Sequence, residues 1–408
     1  MALQVKETKA QRLEREARLK TAAANFHYSS AVTEGRLEAH EVFWRENYSW
    51  LKDCGYLLRP RYAPGWTAPW LTDKSKHMLD FEESARPTAA DVMDATRVAD
   101  GSYVALKRCN LAEPSSFVGV LPESQIYQKF SSEPLASDPK NHCVRHIEIL
   151  RVPEENSEEL LIVMPFLYVW DDFSFATIGE AVDFFSQVFE GLQFMHNNHV
   201  WHGDCKYDSI MMDAAPILTG IPIPHPWNPS RTRDYSRRLQ REARSRTQHP
   251  VKYYWADFDL SGVHDPSTGP PLVFPGYGGT REVPEWAFPD QRCDPFAVDV
   301  WCLGFMIREH FTEGFGLLDE KKMEGFEFIH ELVADMCQDD PAKRPTMDVV
   351  VERFSRIRAG LSLWKLRSRF VQSYKRPVAM QIIRSAMHWA QQLYYIARHL
   401  PAIPTPKD

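Results

Sequence analysis

The stretch from Thr177 to Asp213 constrains this chain more than any other. "TIGEAVDFFSQVFEGLQFMHNNHV" (177–200) carries Val182, Phe185, Val188, Phe189, Leu192 and Met195 at intervals of three and four, the period of a long amphipathic helix. The chain then runs into "HVWHGDCKYDSIMMD" (199–213), where His202, Asp204, Lys206 and Asp208 crowd together. An isolated buried charge is costly, so the complementary set of Lys107, Glu123, Asp204, Lys206 and Asp257 across the chain suggests a ligand.

The surrounding segments read as alternating strands and helices. "VADGSYVALKRCN" (98–110) predicts strand, tight turn at Asp100–Gly101, strand. Residues 120–131 predict a helix with Leu121, Ile126, Tyr127 and Phe130 on or near one face. "ELLIVMPFL" (159–167) predicts a buried strand that ends at a hinge-like Pro165, and "VKYYWADFD" (251–259) a strand and turn. Helical patterns fill 295–310 and 323–337, and there is no internal repeat.

A chain of 408 residues has room for one domain of about 250–300 residues plus appendages. Hydrophobic content of 44% suffices for an ordinary globular core. The net charge of −7 argues against a protein that coats nucleic acid. Seven scattered cysteines without a C-x-x-C pair read as reduced, mostly buried thiols of an intracellular protein. His142–Cys143 lacks a second half of a metal site at suitable spacing. The charged N-terminus has no apolar signal region, and no window approaches 18 apolar residues, so the expectation is a cytoplasmic or nuclear protein without a membrane span.

The appendages differ in character. Residues 1–39 read as a charged helix or disordered arm, and 40–94 as an aromatic, Pro-rich extension that wraps a domain or forms a docking surface. Residues 214–250 interrupt the pattern as a mobile insertion loop; within them 231–246 hold seven Arg against Asp234 and Glu242. The tail, 358–408, is basic and amphipathic and is split by Pro377. It reads as an extra helix packed on the domain, or as a contact with an anionic membrane or a partner.

Taken in order, the motifs of residues 95–357 resemble the eukaryotic protein kinase family. "VALK" (104–107) is similar to the strand whose Lys contacts ATP phosphates, which makes Lys107 the candidate. "ESQIYQKF" (123–130) is similar to the helix bearing its Glu partner; Glu123 fits, with Gln125 or Glu133 as the choice in a shifted alignment. In "HGDCKYDSIMM" Asp204 matches the catalytic base and Lys206 the residue that neutralises the transferred phosphoryl. His202 keeps its position, Gly203 replaces an Arg, and Ser209 replaces a metal-binding Asn. "ADFD" makes Asp257 the candidate Mg²⁺ ligand and Phe258 its packing neighbour, with Asp259 in place of Gly. Thr280, Glu285, Asp299 and Arg344 match structural positions: Thr280 bonding the catalytic Asp and Lys, Asp299 bracing the loop, Arg344 pairing with Glu285. Met164, Phe166 and Leu167 fit the wall that meets adenine. The glycine-rich phosphate loop is missing from "RPTAADVMDATRVADGSYVALK". The "HEVFWRENYSWL" leader and "SDPKNHCV" turn are similar to a group of fungal kinase-like proteins.

The resemblance implies an α+β, bilobal kinase-like fold with a small β-rich lobe, a larger helical lobe, an N-terminal extension and a C-terminal helical tail. It implies ATP and Mg²⁺ as ligands and transfer of the γ-phosphate to a protein Ser or Thr hydroxyl. The degenerate motifs keep open the alternative of an inactive pseudokinase serving as a protein-interaction scaffold. Nucleotide and a protein substrate or scaffold partner are the expected partners.

Overall fold

The computed structural model describes residues 30–87, 89–110, 121–153, 158–239, 244–276, 278, 280–314, 323–372 and 378–406. Of the charged arm expected over residues 1–39, residues 1–29 lie outside them, and Ser30–Thr33 form a single helical turn. The chain is a mixed α+β protein whose strands all pair antiparallel in the named ladders.

Five strands form the main sheet: β1 (Tyr56–Leu57), β2 (Val92–Arg97), β3 (Tyr103–Asn110), β4 (Glu148–Arg151) and β5 (Glu159–Pro165), in the order β1-β2-β3-β5-β4. Alternation along a strand sends successive side chains to opposite faces. Val104 and Leu106 of β3 therefore join Leu161 and Val163 of β5 on the outer face, while Ala105 and Lys107 turn inward beside Ile162 and Met164.

The aromatic extension covers the outer face. Helices α1 (Val42–Glu46) and α2 (Tyr48–Asp53) bring Trp44 and Leu51 onto it, and Tyr56, Leu58 and Tyr62 complete the layer. Burying such side chains contributes about 1.5–3 kcal/mol each. Arg61 and Glu41 form a fully buried pair, with Nη2 2.7 Å from Oε2. The extension also supplies β1, so it completes the sheet as well as wrapping it.

The inner face meets helix α3 (Glu123–Ser131), which buries Ile126, Tyr127 and Phe130. Below it runs α4 (Ile178–Asn197), capped by Thr177, whose hydroxyl accepts from the Glu180 amide at 3.1 Å. The sequence pattern predicts one buried face, yet α4 is buried nearly all round, Asp183 and Gln187 included. Helices packed on α4 supply the reason: α5 (Pro295–Ile307), α6 (His330–Met336) and α7 (Met347–Gly360) share its core, and Phe354 of α7 meets Phe185 and Phe189. Helices α8 (Leu363–Arg367) and α9 (Val378–Ala397) follow in the tail.

Small ladders hold the site loops. β6 (Tyr168–Val169), β8 (Ile210–Met212) and β11 (Tyr253–Trp255) form one, with β8 central; β7 (Val200–Trp201) and β12 (Gly262–Val263) form another. They fix both ends of the segments 202–209 and 256–261.

The mobile-loop reading of 214–250 is corrected for its described part. Strands β9 (Pro224–His225) and β10 (Asn228–Thr232) form a hairpin latched to the extension and sheet. Trp227 Nε1 donates to Asp94 at 2.5 Å, His225 Nε2 lies 2.8 Å from Glu82 Oε1, and Arg233 lies over the Tyr103 ring at 4.3 Å. These arginines and aromatics act as fasteners, which a count of net charge does not reveal.

Candidate functional site

Lys107 is the hinge of the site. Its Nζ lies 2.7 Å from Glu123 Oε1 and 2.5 Å from Asp257 Oδ1. Glu123 is the first residue of α3, and the structure selects it over the alternatives: Gln125 is exposed, and Glu133 accepts from Ser137 instead. Glu123 Oε1 also accepts the Phe258 amide at 2.9 Å, and Cys109 Sγ approaches its Oε2 at 3.3 Å. Burial works against the Lys107 ammonium, but Glu123 and Asp257 outweigh it and hold its pKa well above the ordinary value. Burial would raise Asp257, yet Lys107 beside it keeps that carboxyl low.

The segment 202–209 places the second pair. Lys206 Nζ lies 2.5 Å from Asp204 Oδ2, and 3.8 Å from Asp208 Oδ1, beyond hydrogen-bond reach. Asp299 braces the backbone by accepting from the His202 amide at 2.7 Å and the Gly203 amide at 2.8 Å. His202 is buried and its pKa is lowered by burial. The Asp204 amide donates to its Nδ1 at 3.2 Å, so Nε2 carries the proton that meets the Ala256 carbonyl at 3.0 Å. That bond ties the Asp204 segment to the Asp257 segment. Phe258 packs edge-on against Tyr127 at 4.9 Å, locking the same junction from α3.

Gly203 has a structural cause. Its φ is +85°, and a Cβ there would sit 2.3 Å from the Leu260 carbonyl oxygen. No side chain fits this backbone without strain. Gly at position 203 is therefore a consequence of loop shape. Asp257 is itself left-handed, with φ +66°.

Ser209 is fully buried, and its Oγ has no hydrogen-bond partner among the described residues; the same holds for Asp208 Oδ1. Orphaned oxygen atoms beside the Asp257 segment are the donor chemistry a hard cation takes. Among the described residues no three His, Cys, Asp or Glu side chains form a ready-made metal cluster. Asp259 is raised to about 7 by burial and by Asp257, so this third carboxyl resists charging.

Met164 is buried on the inner face of β5 opposite Ala105, while Phe166 and Leu167 are half-buried beyond it. Phe166 meets Tyr168 and Trp227 edge-on and Tyr103 at a tilt, and its amide donates to the Tyr103 carbonyl at 3.3 Å. The connection between β1 and β2, residues 58–91, contains a single glycine, Gly65. It is held on the outside of the sheet by Arg59 and Arg61.

Arg344 grips Glu285 with both ends of its guanidinium, at 2.6 and 2.9 Å, in a buried pair. The expectation for Thr280 is corrected: among the described residues its side chain bonds neither Asp204 nor Lys206. Its carbonyl accepts from Trp286 Nε1 at 2.8 Å. Gly278 instead lies against Asp204, where a Cβ would come within 2.6 Å of Oδ1.

Sequence reading missed Cys109 and Gly278. Cys109 was within reach, since it lies two residues beyond Lys107 on the same strand face. No protein-family model matches the chain, and no curated protein matches it.

Proposed function

We propose that this chain is an ATP-dependent phosphotransferase of the protein kinase type, acting on a protein Ser or Thr hydroxyl. One observation carries the reading: Lys107 joins Glu123 and Asp257 at one ammonium, with the Asp204–Lys206 pair tied to the Asp257 segment through His202. Nothing in packing requires so many charges in a buried junction, and an isolated pair of this kind adds little stability. The resemblance supplies the architecture: the sheet layer as the small lobe and the α4–α7 layer as the large one, with nucleotide between them.

In this reading Lys107, aimed by Glu123, holds the α- and β-phosphates, and Ala105 and Met164 line the adenine side with Leu167. Asp257 and Ser209 would hold Mg²⁺, which supplies charge neutralisation at the phosphates. Asp204 orients the acceptor hydroxyl and receives its proton. The acceptor oxygen forms a bond to the γ-phosphorus, the bond from that phosphorus to the bridging oxygen breaks, and ADP leaves. Lys206 offsets the negative charge on the transferring group.

A second reading has its own observation. Gly278 lies on Asp204, which fits a catalytically weak or inactive protein-interaction scaffold. Thermal unfolding with ATP, with and without Mg²⁺, tests nucleotide binding, which the first reading needs. Millimolar nucleotide raises the midpoint of wild type, and Lys107→Ala and Asp257→Asn abolish the rise. No rise in wild type removes the proposal.

A further inference from the structure

Helix α9 is packed inside out. It meets the body of the protein through polar side chains on one stripe. His388 Nε2 donates to the Arg367 carbonyl at 2.8 Å, Gln392 Oε1 accepts from Arg367 Nη1 at 3.3 Å, and the Tyr395 hydroxyl donates to Gln248 Oε1 at 3.1 Å. The opposite faces carry the apolar residues. Ile382, Met387 and Leu393 are 63%, 68% and 57% exposed, and Ile383 and Ile396 stand beside them. Leu363 and Trp364 of α8 extend the patch at 68% and 65% exposure, with the Trp364 ring 5.2 Å from that of Trp389. A helix that merely covers a domain buries its apolar stripe and wets its polar one. Exposure of a contiguous apolar surface on this scale marks an interaction site.

Charge identifies the partner. Between Leu361 and Lys407 the sequence holds eight Lys and Arg and no Asp or Glu, in a chain whose net charge is −7. Arg367 is buried beneath α9 and Lys365 faces Glu327, but Arg384 of α9 is half-buried and Arg398, just past its end, is exposed, and a second copy of the same face would set these two against their counterparts. An anionic lipid surface accepts both features together: the apolar residues enter the interfacial layer and Arg384 and Arg398 meet the headgroups. Among the described residues no helix is long and apolar enough to cross a membrane, so α9 has the build of a helix that lies flat, about 30 Å long at its 20 residues.

We infer that α9, together with Leu363 and Trp364, docks on an anionic lipid surface. Flotation of the full chain with vesicles tests it, using phosphatidylcholine alone and phosphatidylcholine with about a third phosphatidylserine. The protein floats with the anionic vesicles, floats poorly with the neutral ones, and is released by salt. The double variant Ile383→Asp/Met387→Asp binds the anionic vesicles at least about tenfold more weakly, with an unchanged unfolding midpoint because both side chains face solvent. Failure of wild type to float with anionic vesicles overturns the inference, as does equal binding by the variant or equal binding to neutral vesicles. A lipid-free dimer in sedimentation that the same variant dissolves assigns the face to a second copy and also overturns it.

Discussion

Lys107 Nζ stands 2.7 Å from Glu123 Oε1 while the same nitrogen stands 2.5 Å from Asp257 Oδ1, so one cation joins the sheet, helix α3 and the Asp257 segment. Removing it leaves two carboxylates facing each other in a largely buried junction. Lys107→Met lowers the unfolding free energy by about 2–4 kcal/mol, discounted for the partly exposed Asp257. Denaturant titration measures this. Adding Glu123→Gln to Lys107→Met recovers part of the loss, because the buried charge that Lys107 left behind is gone.

Gly203 yields a prediction opposite to the one its motif invites. Introducing by Gly203→Arg the residue that the kinase resemblance invites does not improve the site. With φ at +85° and the Leu260 carbonyl in the way, Gly203→Ala already destabilises by about 2 kcal/mol or more, and Gly203→Arg by at least as much. Unfolding midpoints of the two variants check the order.

Asp183 sets a pH dependence away from the site. Burial pushes its carboxyl up to about 8, against the hydrogen bond that Gln187 Nε2 donates at 2.8 Å. The folded pKa lies above the unfolded value, so the folded state holds the proton more tightly. Its stabilising share is complete below the ordinary value of 3.8 and is lost as pH climbs from there through about 8. Asp183→Asn removes that slope. Compared with wild type, the variant gains more than about 1 kcal/mol at pH 8 relative to pH 4, read from unfolding at the two pH values.

Ser209 separates structure from ligand. Its Oγ has no partner among the described residues, so Ser209→Ala leaves the unliganded midpoint within about 0.5 kcal/mol of wild type. The Mg²⁺-dependent part of ATP stabilisation falls in the same variant. A variant that lost stability without ligand would place Ser209 in the packing instead.

How much of this was legible in the sequence depends on the type of signal. Motif-borne contacts read well: Lys107 with Glu123, Asp299 with the His202 and Gly203 amides, and Glu285 with Arg344 all lie where the residue types placed them. Two of them use complementary charge and the third a carboxylate that accepts backbone amides, and in each the charged residue survives in the sequence. Backbone-determined features did not read. The loop shape that requires Gly203 depends on Leu260, 57 positions away, and no local pattern encodes it. The insertion read as a mobile basic loop because composition records charge but not partners; Asp94, Glu82 and Tyr103 lie far off in the chain. The tail pattern showed that α9 has two kinds of face. Which face turns outward is set by Arg367 and Gln248, which only the fold brings near.

The central claim is that Asp204 acts on an acceptor hydroxyl while Lys107 and Asp257 hold nucleotide. Transfer of labelled γ-phosphate to a general protein acceptor, measured for wild type and Asp204→Asn under conditions where ATP stabilises both, tests it most directly. The account predicts measurable transfer by wild type and a fall of at least about a hundredfold in Asp204→Asn, with ATP stabilisation retained. Wild type that binds ATP without transferring phosphate, or Asp204→Asn that transfers at the wild-type rate, would contradict it.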